Sequence, residues 1–225
     1  MATPTLIFCA AGNPIFAEIA VRLGFKYGAR LPAATYADVY FADQDWKNPD
    51  RARYMRALEQ HRPQMATVLD WERIEQWGEV WDWAQEAAQW VEQVIVIPKV
   101  PKIDLMPESV SGKPIILGFS VPTQHGGTAL SPVHLQGRKI HLLGGSPQMQ
   151  MRLARQFARF GDVVSVDGNM AQKMATTRNC YWRQERQIGE RGGQWWTLEP
   201  GGTNRPARCL ERSLANIATA WRNVP

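Results

Sequence analysis

The chain has 225 residues, 44% of them hydrophobic and 21% charged, a composition that reads as soluble and globular and is long enough for one large core. No apolar run approaches the roughly 18 residues of a membrane span, and the N-terminus lacks the basic, then apolar, then small-residue order of an export signal, so a cytoplasmic protein with no membrane contact is expected. The net charge of +5 is uneven: residues 1–150 carry 14 basic and 15 acidic side chains, residues 151–225 carry 12 basic and 6 acidic.

Strand and helix signals alternate along the chain. Thr5–Cys9 is an apolar strand, followed by a helix with Asn13 as cap, Pro14 at its first position and an apolar face of Ile15, Ile19 and Leu23. A further strand fits within residues 25–30. Val39-Tyr40-Phe41 forms a strand that runs out into Ala42-Asp43-Gln44-Asp45-Trp46, and Asn48-Pro49 starts a helix reaching about His61. Residues 65–69 form a strand ending in Asp70-Trp71-Glu72. In the next helix Ile74, Trp77, Trp81, Ala84, Ala88 and Val91 repeat at alternating spacings of three and four.

Val94 to Ile97 is a strand stopped by Pro98, and Ile115-Ile116-Leu117 is another, ending in Gly118-Phe119-Ser120. Lys139 to Leu143 leads into Gly144-Gly145-Ser146, with Ser146 placed to cap a helix that starts at Pro147. Val163 to Val166 leads into Asp167-Gly168-Asn169. Residues 189–208, rich in Gly, Pro, Arg and Trp, read as an irregular arm, and residues 212–222 as a closing helix.

Alternation of this kind predicts a parallel sheet. Eight strands close into a small (β/α)8 TIM-like barrel with shortened or missing helices, and the alternative is an open doubly wound sheet. The expected organisation is a barrel over residues 1–183 and a basic arm with its closing helix, packed on the same domain, over residues 184–225. Cys9, Cys180 and Cys209 contain no close pair, and His61, His125, His134 and His141 have no helical ligand spacing, so buried thiols and no metal are expected. No glycine fingerprint of a nucleotide-binding loop follows any strand, and no cofactor is expected.

In such folds chemistry sits at the carboxyl ends of the strands. Three carboxylates stand there: Asp43, Asp70 and Asp167. An unpaired buried charge costs several kcal/mol, so three of them point to an open pocket rather than to a core. Asp43 and Asp70 serve equally well as helix caps, and Trp46 and Trp71, beside them, suit either a pocket wall or the core.

The order F-A-D-Q, V-L-D-W-E, G-F-S-V-P-T, H-L-L-G-G-S-P and S-V-D-G-N-M-A-Q-K-M-A-T-T-R-N resembles the tRNA-guanine transglycosylase superfamily over roughly residues 36–180. The resemblance implies a modified barrel in which Asp43 assists acid–base chemistry, Asp70 holds the base and Asp167 attacks the sugar C1′. It further implies that Thr177-Arg178-Asn179 is the segment that follows the nucleophile, and that Gly118, Gly144 and Gly145 let a flat base and a phosphate approach. The family's three-cysteine-and-histidine zinc site has no counterpart. That turns the comparison toward the short DNA-acting relatives, which handle 7-deazaguanine derivatives.

The expected function is therefore a DNA glycosylase that removes a modified nucleobase, in base modification, repair or defence against phage. A base-exchange transglycosylase and a non-catalytic nucleic-acid-binding module are the alternatives. Asp167, Asp43 and Asp70 are the expected catalytic residues. Gln44, Trp46, Trp71, Gly118, Phe119, Ser120, Gly144, Gly145, Ser146 and Asn169 are expected to contact the substrate. Arginine suits phosphate through its planar fork, and Lys173, Arg178, Arg183 and Arg186 are expected to hold DNA in preference to tRNA.

Overall fold

A computed structural model describes residues 3–101, 103–122, 127–128, 130–184, 194–199 and 203–224. Eight parallel strands form a closed barrel. In chain order they are β1 (Thr5–Cys9), β2 (Lys26–Arg30), β3 (Phe41–Asp43), β4 (Met65–Thr67), β5 (Gln93–Val96), β7 (Lys113–Ser120), β8 (Lys139–Leu143) and β9 (Asp162–Gly168). The short β6 (Ser109–Val110) pairs antiparallel with the start of β7. Pairing of β1 with β9 and of β5 with β7 closes the ring, which excludes the open sheet.

A barrel fits in so few residues because three of the seven crossovers contain no α-helix among the described residues: those from β2 to β3, from β5 to β7, and from β7 to β8, where one 3-10 turn (Pro132–Leu135) stands instead. The other four carry α1 (Pro14–Arg22), α2 (Arg51–His61), α3 (Trp77–Ala87) and α4 (Pro147–Phe157), and α5 (Met170–Arg178) follows the last barrel strand. Asn13 and Ser146 cap as expected, accepting from the Ile15 and Met149 N–H groups, but α2 starts at Arg51 rather than at Asn48-Pro49, with Asp50 as the cap that accepts from the Arg53 N–H.

Alternation along each strand divides the core in two. Inside the barrel Ile7, Phe41, Met65, Ile95, Ile97 and Ile116 pack together with Cys9, Leu143 and Val164 against them. Their neighbours Phe8, Ala42, Ala66, Val94, Val96 and Leu117 face the helices. Two glycines make the interior possible. A Cβ on Gly28 would stand 2.8 Å from the Cys9 Sγ, and one on Gly118 would stand 2.6 Å from the Ile97 Cγ1. Gly118 thus makes room for barrel packing, not for a base.

Several helix faces differ from the sequence pattern. In α1 the buried residues are Phe16, Ala17 and Ala20, while Ile15 is exposed; the two alanines have no accessible surface, and so little side-chain bulk allows a close approach. In α3 the buried set is Val80, Trp83, Ala84 and Ala87, and Trp77 and Trp81 lie half-buried at its edge. The C-terminal region is more regular than expected. β10 (Cys180–Arg183) and β11 (Gln194–Thr197) form an antiparallel ribbon, and α6 (Arg205–Trp221) begins seven residues before Arg212. Leu210, Leu214, Ile217 and Trp221 on α6 join the outer core, packing this helix against α1 and α5.

Candidate active site

The strand ends bring four polar side chains to one mouth of the barrel. Cys9 closes β1, Asp43 closes β3, Thr67 closes β4, and Asp167 is the penultimate residue of β9. The Thr67 hydroxyl donates to the Asp43 Oδ1 at 3.0 Å and accepts from the Gln44 N–H, so Asp43 is held by its neighbouring strand. Asp167 accepts on both oxygens: the Cys9 thiol donates to Oδ2 at 3.1 Å and the Gly144 N–H to Oδ1 at 3.1 Å.

Two further residues complete the group, and the sequence signals did not single them out as site residues. The His141 Nε2 lies 3.3 Å from the Asp167 Oδ1 without hydrogen-bond alignment and has no hydrogen-bond partner among the described residues; its Nδ1 lies 2.7 Å from the Ser165 Oγ. His141 is fully buried inside the barrel with its ring 5.0 Å from that of Phe41, and Ser165 is buried beside it. A neutral ring with its proton on Nε2, toward the carboxylate, leaves Nδ1 to accept from the Ser165 hydroxyl. Residues 24 and 26 positions apart carry no local signal of this contact. It depends on the register shift between β8 and β9 at Ile140/His141.

The electrostatics separate the three carboxylates. Asp43 is pushed up to about 7, first by burial and then by the charge of Asp167, with the Thr67 hydroxyl and Arg30 opposing. Asp70 is pushed up to about 6 by burial, offset by the Lys99 ammonium 3.8 Å away and reinforced by Glu72. Burial and the two aspartates also push the Cys9 thiol well above its usual range, which makes it a proton-bearing donor to Asp167 rather than a thiolate nucleophile. The mouth therefore pairs a carboxylate that exchanges its proton near neutrality with one that accepts hydrogen bonds on both oxygens.

The expected binding residues fare unevenly. Trp46 is 48% exposed beyond β3, with the Lys47 ammonium 5.3 Å from its ring centre. Trp71 offers no face to a base: it is fully buried, its backbone bridges to Pro98, and its ring packs 4.6 Å from Trp77. Phe119 also turns away, alternating outward between Gly118 and Ser120 to meet Phe157 of α4 at 4.8 Å. Gln44 alternates outward from Asp43 and lines a separate recess of about 340 Å³ with Arg30, Asn48 and Arg53; its Oε1 is buried without a hydrogen-bond partner among the described residues. Ser120 is half-buried, with its N–H donated to the Thr128 hydroxyl.

The Gly144–Ser146 loop is tied to the protein at Gly144. Gly144 and Gly145 have φ of 65° and 78°, a conformation that favours glycine. The Gly144 N–H is spent on Asp167, the Gln150 amide donates to the carbonyls of Gly144 and Asp167, and a Cβ on Gly145 would strike Val121 at 2.5 Å. The cavity behind Asp167, lined by Gly145, Gln150, Gly168 and Trp221 among others, measures about 30 Å³, room for one water.

Asp167 is followed almost at once by α5, whose N-cap Asn169 is exposed and makes no side-chain cap bond. This helix carries Arg178 about 12 Å along its axis from the mouth. Thr177-Arg178-Asn179 is therefore a helix end, with Asn179 as its left-handed cap (φ 50°), and does not join the site. Lys173 is exposed midway along α5 and Arg183 is exposed on β10, while Arg186 lies outside the described residues. Among the described residues no three His, Cys, Asp or Glu side chains are grouped to hold a metal, and no helix is long and apolar enough to cross a membrane.

Residues 20–222 match a family of unknown function, DUF6610, and the chain belongs to that family. No curated protein and no solved structure matches the chain.

Proposed function

We propose that the protein is a DNA glycosylase that cleaves the N-glycosidic bond of a modified nucleobase. The observation that carries this reading is the pairing of Asp43, pushed up to about 7, with Asp167 in one barrel mouth. Breaking the bond between C1′ and the base nitrogen needs a proton for the leaving base and negative charge near C1′. Protonated Asp43 supplies the first and Asp167 the second. Asp167 captures C1′ as the base departs with the proton of Asp43. Water then attacks C1′ with Asp43 as base, giving an abasic sugar and restoring both carboxyl groups.

The Cys9 thiol and the Gly144 N–H hold the plane of the Asp167 carboxylate, the preorganisation such a step needs. Duplex bases are inaccessible to this mouth, so the target is flipped out or already unpaired. Trp46 is the exposed aromatic surface beside it, and Asp70 contacts the edge of the base. The free thiols at Cys9, Cys180 and Cys209 suit the reducing cytoplasm.

The test is incubation with DNA containing cytosine, glucosylated hydroxymethylcytosine or 7-deazaguanine derivatives, followed by mass spectrometry of the released bases. A free base with a matching abasic site, absent with Asp167→Asn, is expected. Release only when a free deazapurine is supplied would identify base exchange instead. No release from any substrate, with DNA binding intact, would leave a non-catalytic binding module.

A further inference from the structure

The ribbon of β10 and β11 has two unlike faces. Tyr181 pairs opposite Trp196 and Arg183 opposite Gln194, so these four share one face and Cys180, Trp182, Trp195 and Thr197 share the other. The second face anchors the ribbon. Trp182 is fully buried and its indole N–H donates to the Gln148 Oε1 at 3.1 Å. Its backbone N–H donates to the Ser213 hydroxyl and its carbonyl accepts from the Asn216 amide, both on α6.

The first face is partly open: Tyr181 is half-buried against the outer core, and Trp196, Arg183 and Gln194 are exposed. Trp196 is 40% exposed, the Arg183 guanidinium lies 6.0 Å from its ring centre, and Arg212 of α6 lies 5.4 Å from that of Tyr181. A cross-strand aromatic pair thus carries one guanidinium on each ring, and neither strand contains an acidic residue. The ribbon also has a definite place relative to the mouth. Gln148 stands in the first turn of α4, directly after the Gly144–Ser146 loop, so the Trp182 bond ties the ribbon to the rim where Asp167 stands.

We infer that the Tyr181–Trp196 face of this ribbon is a docking surface for single-stranded nucleic acid leading to the barrel mouth. The inference rests on the nucleic-acid substrate proposed above. An unpaired base exposes a flat π-face that stacks on an indole or phenol, and a guanidinium beside the ring pairs with the adjoining phosphate. A duplex presents its phosphates but hides those faces, so the aromatic pair favours the unpaired strand. Complementarity of charge agrees, since residues 151–225 hold 12 basic against 6 acidic side chains.

The experiment measures binding of a dye-labelled oligothymidine of about 15 nucleotides, the upper size of a stacking site of this kind, and of a duplex of equal length. It is run in the Asp167→Asn background so that turnover does not intervene. Trp196→Ala and Tyr181→Ala are each expected to weaken the single strand at least about tenfold and leave the duplex nearly unchanged, with Trp196→Phe restoring most of the loss. The double variant Arg183→Gln and Arg212→Gln, which keeps both rings, is expected to flatten the salt dependence. It provides the same test if an aromatic variant loses its thermal transition. Wild-type affinity in both Trp196→Ala and the arginine variant overturns the ribbon while the nucleic-acid reading survives. Equal losses for duplex and single strand overturn the preference for unpaired bases. If the parent protein binds neither oligonucleotide, the nucleic-acid reading itself falls.

Discussion

The two carboxylates that end β3 and follow β4 start from the same chemistry and finish in different states. Asp43 is buried near a second carboxylate, with a threonine hydroxyl as its hydrogen-bond partner and Arg30 as a weak counter-charge, and it rises to about 7. Asp70 is buried to a similar end but faces the Lys99 ammonium, and it rises only to about 6. Burial raises both carboxyls first; the nearby charge of Asp167 adds to that rise at Asp43, and the Lys99 ammonium offsets part of it at Asp70. Under the function proposed above, proton transfer falls to the Asp43–Asp167 pair and base recognition to Asp70 beside Lys99.

The largest effect expected to test that division is at Asp167. Asp167→Asn preserves shape but removes the charge on which the proposed step at C1′ depends, and turnover is expected to fall at least about 10³-fold, while DNA binding holds or tightens. Asp43→Asn is expected to cost about 10²–10⁴-fold in kcat, the range of a lost general acid. Asp70→Asn is expected instead to raise KM and change which base is accepted. An Asp70→Asn variant with the kinetics of Asp43→Asn would abolish the distinction.

A second measurement concerns His141. If it positions Asp167, His141→Leu lowers kcat about 10–100-fold with little change in KM, and His141→Gln, whose amide can occupy the place of Nε2, recovers part of the loss. Nitrogen NMR on labelled histidine provides a readout independent of turnover. His141 is expected to carry its proton on Nε2, and Ser165→Ala is expected to let the second tautomer appear. A proton on Nδ1 in the unaltered protein would remove His141 from the support of Asp167.

The acidity of the pair makes smaller, signed predictions. As proton donor, Asp43 requires activity to decline as pH rises through about 7. Removing the like charge with Asp167→Asn is expected to lower the Asp43 titration, and Lys99→Met to raise that of Asp70 above about 6. Stability follows the same asymmetry. The folded protein holds the Asp43 proton to about 7 and the unfolded chain only to the ordinary carboxylate value near 4. The ionised form is therefore the costly one, and stability declines between those two pH values. The Tm advantage of Asp43→Asn over the parent is expected to grow across that window and level off above it.

How far the site was legible depends on the range of each signal. Apolar runs ending in Asp43 and Asp167 marked two strand ends correctly, and the Gly144-Gly145-Ser146 turn with its capping serine was readable because a cap involves neighbours in sequence. The side to which each strand-end residue turns was not. Phe119 and Gly118 are adjacent, and only barrel closure sends the glycine inward and the phenylalanine to Phe157. Trp71, one residue from Asp70, is claimed by the parallel bridge to Pro98 and by Trp77. The helix after Asp167-Gly168-Asn169 carries Thr177-Arg178-Asn179 away from the mouth.

The sequence by itself determined the parallel α/β plan, the places where strands stop, and the identity of the carboxylates at those ends. These depend on hydrophobic period, glycine, proline and capping residues, all of which act within a few positions of one another. Only the tertiary structure decided the rest. The register shift between β8 and β9 sets His141 and Ser165 under Asp167, and closure through β5 and β7 turns Cys9, Asp43 and Asp167 into one mouth. The basic tail becomes an anchored aromatic ribbon by pairing strands that stand fourteen residues apart at their starts. Contacts of that range are selected by how a closed sheet packs, which no local run of residues encodes.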